Sequence, residues 1–136
     1  MKMAKITAIE GIGEAYAAKL MEVGIKTTED LLAAAADPKG RKELAAATGI
    51  DAAKILHWAN RADLFRIKGV GEEYSDLLEA SGVDTVPELA QRNPENLHKK
   101  MLAVNSEDKL VRRPPSLKQV QSWVAQAKEM PRMLHY

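Results

Sequence analysis

Nowhere along the chain do β-branched residues alternate with polar ones, while alanine, leucine, lysine and glutamate recur throughout, so the pattern predicts helix everywhere and requires no strand. Glycines, prolines and small polar residues punctuate it. A helix over 14–23 follows a glycine-rich turn and stops at Gly24; another over 72–81 follows a second such turn and stops at Gly82. Glycine just past a helix end takes the left-handed conformation without a Cβ penalty. Beyond these stops, Thr27 or Thr28 and Thr85 are placed as N-caps of the next helices, and Pro87 sits in a first turn, where proline is tolerated. Short helices follow near 41–47 and 96–103. Longer ones come last in each half, over 51–64 behind Asp51 and over 116–130 behind Ser116, and the stretch 105–115 reads as a loop.

The chain also repeats itself. Ile9-Glu10-Gly11-Ile12-Gly13-Glu14-Ala15-Tyr16 returns 58 residues later as Ile67-Lys68-Gly69-Val70-Gly71-Glu72-Glu73-Tyr74, and at the same shift Leu20, Gly24, Thr27 and Leu31 meet Leu78, Gly82, Thr85 and Leu89. The register then slips, because Trp58 matches Trp123 at a shift of 65. The expected organisation is therefore two repeats, 1–64 and 65–136. In each half a hydrophobic residue, a glycine, a second hydrophobic residue and a second glycine precede a helix, as Ile9, Gly11, Ile12 and Gly13 and then Ile67, Gly69, Val70 and Gly71. Paired glycines permit a tight turn, and the N–H groups exposed at the start of the following helix can hold an anion.

These turns resemble the helix-hairpin-helix motif, in which that anion is a nucleic-acid phosphate bound without sequence reading. Nearly the whole chain, through GIGEAYAAKL, GIKTTEDLL, ATGIDAAKILHWANRADLFRIKGVG, ELAQRNPENL and LVRRPPSLKQVQSWVAQAK, is similar to a bacterial family named as domain of unknown function 4332. The resemblance implies an all-α fold of two helix-hairpin-helix-type repeats packed as one compact pseudo-twofold domain. It brings no established activity. The second turn has a helix ahead of it, whereas only about eight residues precede the first. The last helix, matched to the 51–64 helix by its tryptophan, is expected to pack where that leading helix is missing, against the Gly11 turn.

Charge divides the phosphate reading. The whole chain has 20 basic and 19 acidic residues, a net +1 that supplies no overall field for nucleic acid. Locally, Arg61, Arg66 and Lys68 lead into the second turn, but Glu14, Glu72 and Glu73 directly follow the glycines. There carboxylates suit the helix dipole and repel an incoming phosphate. Residues 67–95 carry two basic and seven acidic side chains, and residues 96–136 eight and three. The positive end gathers in His98-Lys99-Lys100 and around Arg112-Arg113, where Pro114 and Pro115 keep the chain extended. That run is a phosphate-contacting patch, a docking loop for an acidic protein, or a solvated surface.

Other chemistry finds little footing. Cysteine is absent, removing disulfides and thiolate metal sites. His57, His98 and His135 are scattered without metal-ligand spacing, no serine sits in a nucleophile-elbow context, and no nucleotide-binding glycine fingerprint follows a strand. Trp58 and Trp123 are expected as core anchors, and the ring bodies of Tyr16 and Tyr74 are expected to pack on the neighbouring helix with their hydroxyls toward the surface. At 4% aromatic content, a single-strand groove built on stacking is not expected. No apolar stretch is long enough for a membrane span, the opening MKMAKITAIEG lacks the apolar core of a secretory signal, and the expected compartment is the cytoplasm. The sequence thus predicts a non-enzymatic module without cofactor or metal, a monomer or weak dimer. Its leading role is weak contact with DNA or RNA backbone through Gly11, Ile12, Gly13, Arg66, Lys68, Gly69, Val70, Gly71, Arg112 and Arg113. The alternative is a protein-interaction adaptor that binds no nucleic acid.

Overall fold

The structure is a computed structural model, and it describes residues 4–136. The fold is all-helical: among the described residues there are eight α-helices, one 3-10 turn at Ile6–Ala8, and a single antiparallel bridge between Lys5 and Thr27 in place of any strand. No helix among them is long and apolar enough to cross a membrane. These residues fall into two compact units, one running to Asp63 and including Arg132–Tyr136, the other Leu64–Pro131.

The first unit contains α1 (Glu14–Glu22), α2 (Thr28–Ala34), α3 (Pro38–Thr48) and all but the last residue of α4 (Ala52–Leu64). α2 starts on a reciprocal capping box. The Thr27 hydroxyl accepts from the Asp30 N–H at 3.1 Å, and the Asp30 carboxylate accepts from the Thr27 N–H at 3.2 Å. The Lys26 N–H donates to the same carboxylate at 3.0 Å, and chiefly for that reason the Asp30 carboxyl lies below the usual carboxylate range. α3 exceeds the expected 41–47 because its start signal lies further back: the Asp37 carboxylate accepts from the Gly40 N–H at 2.7 Å, and Pro38 occupies the first turn. Gly40 sits inside α3 because a β-carbon there would run into the Ala34 carbonyl at the end of α2. Helix propensity yields at this position to the close packing of the two helices.

Residues 131–136 have no regular structure, yet 132–136 complete this unit. Leu134 is only 3% exposed, the His135 N–H donates to the Ala36 carbonyl at 2.8 Å, and Arg41 of α3 donates to the Ala35 and His135 carbonyls, each at 2.9 Å. The repeat places residues 132–136 with the second half of the sequence. They lie in the first unit because an apolar anchor and a buried guanidinium are provided for them there.

The second unit holds α5 (Glu72–Ala80), α6 (Val86–Ala90), α7 (Pro94–Asp108) and α8 (Leu117–Glu129), with α6 and α7 against α8 and α5 against α7. Ser116 caps α8 through a full capping box with Gln119. Thr85 stands at the N-cap position of α6 with Pro87 in the first turn. Its hydroxyl donates to Glu88 Oε1 at 3.3 Å rather than accepting from the helix backbone. α7 runs well past 96–103: Asn93 and Pro94 start it earlier, and it continues through residues 105–108, which the loop reading covers. It stops at Lys109, whose φ of +50° makes it the single non-glycine residue with positive φ among those described.

Trp58 and Trp123 are core anchors, 3% and 2% exposed. Tyr16 packs edge-on to Trp58, and Tyr74 tilts against Trp123, with 5.1 Å between ring centroids in each pair. The indole beside Gly11 is that of Trp58 from α4, and the indole beside Gly69 is that of Trp123 from α8. Each glycine turn is thus closed by the long helix of its own half, which follows from the matching of the two tryptophans.

Candidate nucleic-acid interface

Both turns share a local mechanism. Gly11 and Gly69 have φ of +94° and +98°, so each holds a left-handed backbone that a side chain would strain. A β-carbon would also lie 3.4 Å from Trp58 Nε1 at Gly11, and 3.0 Å from Trp123 Nε1 at Gly69. The second glycine of each pair differs. Gly13 and Gly71 are the N-caps of α1 and α5 in extended backbone, with open space where a β-carbon would stand. Gly69→Ala is therefore expected to destabilise the second unit by about 2–3 kcal/mol, against a few tenths for Gly71→Ala. Urea denaturation followed by circular dichroism checks this, and equal effects at the two sites would refute the assigned turn geometry.

The residues singled out by the sequence play unequal parts. Ile12 and Val70 are buried, and their N–H groups donate to the Ile9 and Ile67 carbonyls at 3.1 Å, so they seat the turns. Arg66 is half-buried, and its guanidinium donates to the Pro131 carbonyl at 2.7 Å. Lys68 is exposed, but its backbone is gripped on both sides by Gln126 of α8. The Lys68 N–H donates to Gln126 Oε1 at 2.8 Å, and Gln126 Nε2 donates to the Lys68 carbonyl at 3.1 Å. Gln126 escapes the sequence reading; its signal is only its place one turn beyond Trp123. After the turns, neither α1 nor α5 receives a side-chain hydrogen bond at its N-cap, and the first N–H groups of a helix have no partner within it. Exposed carboxylates of Glu14, Glu72 and Glu73 flank these starts.

The loop that carries Arg112 and Arg113 is tied by its backbone to α5 and α7. The Tyr74 hydroxyl, on the first turn of α5, donates to the Arg113 carbonyl at 3.0 Å. Asn105, buried in α7, accepts from the Val111 N–H at 2.9 Å and donates to its carbonyl at 3.1 Å, as a paired strand would. His98 Nε2 lies 3.0 Å from the Pro115 carbonyl. Every one of these tethers takes a backbone group, which leaves the side chains of Arg112 and Arg113 exposed on a loop fixed at several points. Between the start of α5 and this loop lies an open cleft of about 590 Å³, lined by Glu73, Asn105, Lys109, Leu110, Val111, Arg112 and Pro114. In the second unit, then, Lys68 and the Gly69–Gly71 turn lead directly into α5, and the arginine loop is tied to the first turn of that helix. The Gly11–Gly13 turn belongs to the first unit; there the ammonium of Lys54 lies over the Tyr16 ring, 5.9 Å from its centroid.

No cluster of three or more histidine, aspartate or glutamate side chains able to hold a metal ion occurs among the described residues. In comparisons with known proteins, the family model described as Domain of unknown function (DUF4332) matches residues 10–130. No curated protein and no solved structure matches the chain.

Proposed function

The chain belongs to the DUF4332 family, and from that premise and the geometry of its second unit we propose that it is a cytoplasmic, non-enzymatic helix-hairpin-helix module that binds nucleic-acid backbone weakly and without sequence specificity. The observation that carries this reading is the bond from the Tyr74 hydroxyl to the Arg113 carbonyl. It fixes a loop with two exposed arginines beside a helix start that has no side-chain cap and that follows a glycine turn bearing an exposed lysine. Oriented N–H groups together with nearby cations are what phosphate recognition needs. Because the loop is held by its backbone, its side chains meet the ligand without first ordering the chain, which lowers the entropic cost of association.

Fluorescence anisotropy of labelled duplex and single-stranded DNA, across a salt series, tests the proposal. The wild-type protein should bind with a Kd of roughly 1–100 µM and weaken steeply as salt rises. Arg112→Glu/Arg113→Glu and Lys68→Glu should each bind less tightly, and the slope of log K against log salt should fall by about one for each phosphate that is no longer neutralised. Both changes are at exposed side chains whose backbone tethers remain, so the far-ultraviolet spectrum should not move.

One observation favours a protein adaptor instead: Glu72 and Glu73 are exposed at the same helix start, where they repel phosphate. In that reading the rigid arginine loop docks an acidic protein surface. Absence of binding to either form of DNA at low salt would overturn the nucleic-acid reading and leave the adaptor.

A further inference from the structure

The cleft beside α5 contains groups that a site for phosphate alone does not need. Leu110 and Pro114 give it apolar surface beside its polar groups, and the acidic residue Glu73 is part of its lining. Lys109 is the more pointed observation. At the five other positions with positive φ among the described residues the chain uses glycine, at residues 11, 24, 49, 69 and 82; at Lys109 it keeps a side chain despite a φ of +50°. A left-handed non-glycine backbone is a pointer to function, and Lys109 is among the residues that line the cleft, together with Arg112.

We propose that this cleft holds one unpaired base of a single-stranded nucleic acid, with preference for a base that carries an exocyclic amine. The inference rests on the phosphate reading above and gives its ligand a class. A nucleotide combines an anionic phosphate, a planar and largely apolar face, and N–H donors on its edge. The lining offers a partner for each part: Lys109 for the phosphate, Leu110 and Pro114 with the planar Arg112 guanidinium for the face, and the Glu73 carboxylate as acceptor for the amine. Glu73, which opposes a bare phosphate, becomes a reader of the base. Both tryptophans are committed to the core, so the stacking surface comes from arginine and aliphatic side chains. The volume of about 590 Å³ falls within the roughly 300–1,000 Å³ of small-ligand sites.

Labelled strands of about twelve nucleotides, long enough to cover one such site, decide the matter when they are oligo-dC, oligo-dT and a strand of abasic deoxyribose-phosphate with the same charge. Wild-type protein should bind oligo-dC about tenfold more tightly than the abasic strand, with oligo-dT between them. Glu73→Gln should move the strands in opposite directions, removing the advantage of dC over dT while the abasic strand binds more tightly. Lys109→Gly should weaken binding of all three, with a melting temperature equal to or above that of the wild type because the strain is relieved. Equal binding of oligo-dC and the abasic strand, both falling with salt, would overturn the base site and leave the phosphate reading standing. No binding of any strand at low salt would overturn both.

Discussion

Trp123→Ala is expected to remove about 3–5 kcal/mol from the stability of the second unit, the cost of deleting a buried aromatic side chain and leaving a cavity in its place. Stabilities of whole domains are only about 5–15 kcal/mol, and a small unit has little core in reserve, so this variant should be largely unfolded at 37 °C. The geometry explains why no neighbour can close the gap. The indole is 2% exposed, its Nε1 lies against the left-handed Gly69, and the Tyr74 ring leans on it at 5.1 Å. Gly69 cannot advance without altering the turn, and Tyr74 is anchored at its other end by the bond to the Arg113 carbonyl. The damage should therefore reach the arginine loop: in a Trp123→Phe variant, which keeps an aromatic body, stability should fall by about 1–2 kcal/mol and DNA affinity should fall with it. Urea titration followed by far-ultraviolet circular dichroism measures the first effect and anisotropy the second. A loss below about 1 kcal/mol for Trp123→Ala would show that the indole does not support the turn.

Much of this arrangement can be read before the structure. The caps at Thr27 and Ser116, the left-handed Gly24 and Gly82, and the burial of both tryptophans rest on short-range stereochemistry or on simple apolarity, and the sequence carries such signals openly. The end of α7 carries none. Glycine is the usual residue at a left-handed helix stop, and Lys109 looks like one more helix former, so only the structure reveals its turn. Asn105 belongs to a stretch that reads as loop, yet it is a buried helical residue whose amide takes both backbone groups of Val111. In the candidate interface, the glycine turn is legible from its repeat. The tethers that bring Arg113 to α5 are not, because Tyr74 and Arg113 are 39 residues apart and nothing in either one's neighbourhood announces the other. Gln126 is similar: it holds Lys68 across 58 residues with an ordinary amide on an exposed part of α8.

Arg41 gives the most demanding test of what local patterns omit. Its guanidinium is 6% exposed, donates to the Ala35 and His135 carbonyls at 2.9 Å and lies 5.9 Å from the centre of the Tyr136 ring. A buried cation is tolerated only when its donors are matched, and here one of its partners lies 94 residues away in sequence. The two interactions are mutually dependent: residues 132–136 lie on the first unit because Arg41 and the Ala36 carbonyl hold them, and Arg41 remains buried because those residues cover it. Arg41→Ala should accordingly cost about 2–4 kcal/mol, leaving two carbonyls without their charged donor. Leu134→Ala should cost a similar amount, about 2–4 kcal/mol, by emptying the site of a side chain that is 3% exposed. Since both act on the same segment, the double variant should lose less than the sum of the two, with a coupling of about 1 kcal/mol or more. Amide hydrogen exchange locates the effect. The His135 N–H, bonded to the Ala36 carbonyl at 2.8 Å, should lose its protection in either single variant, while the Gly49 N–H, bonded to the Ala45 carbonyl at the end of α3, should keep much of its own. Unchanged protection at His135 in Arg41→Ala but not in Leu134→Ala, together with strictly additive energies, would mean that Arg41 does not hold the segment and that the apolar side chain of Leu134 is its main anchor.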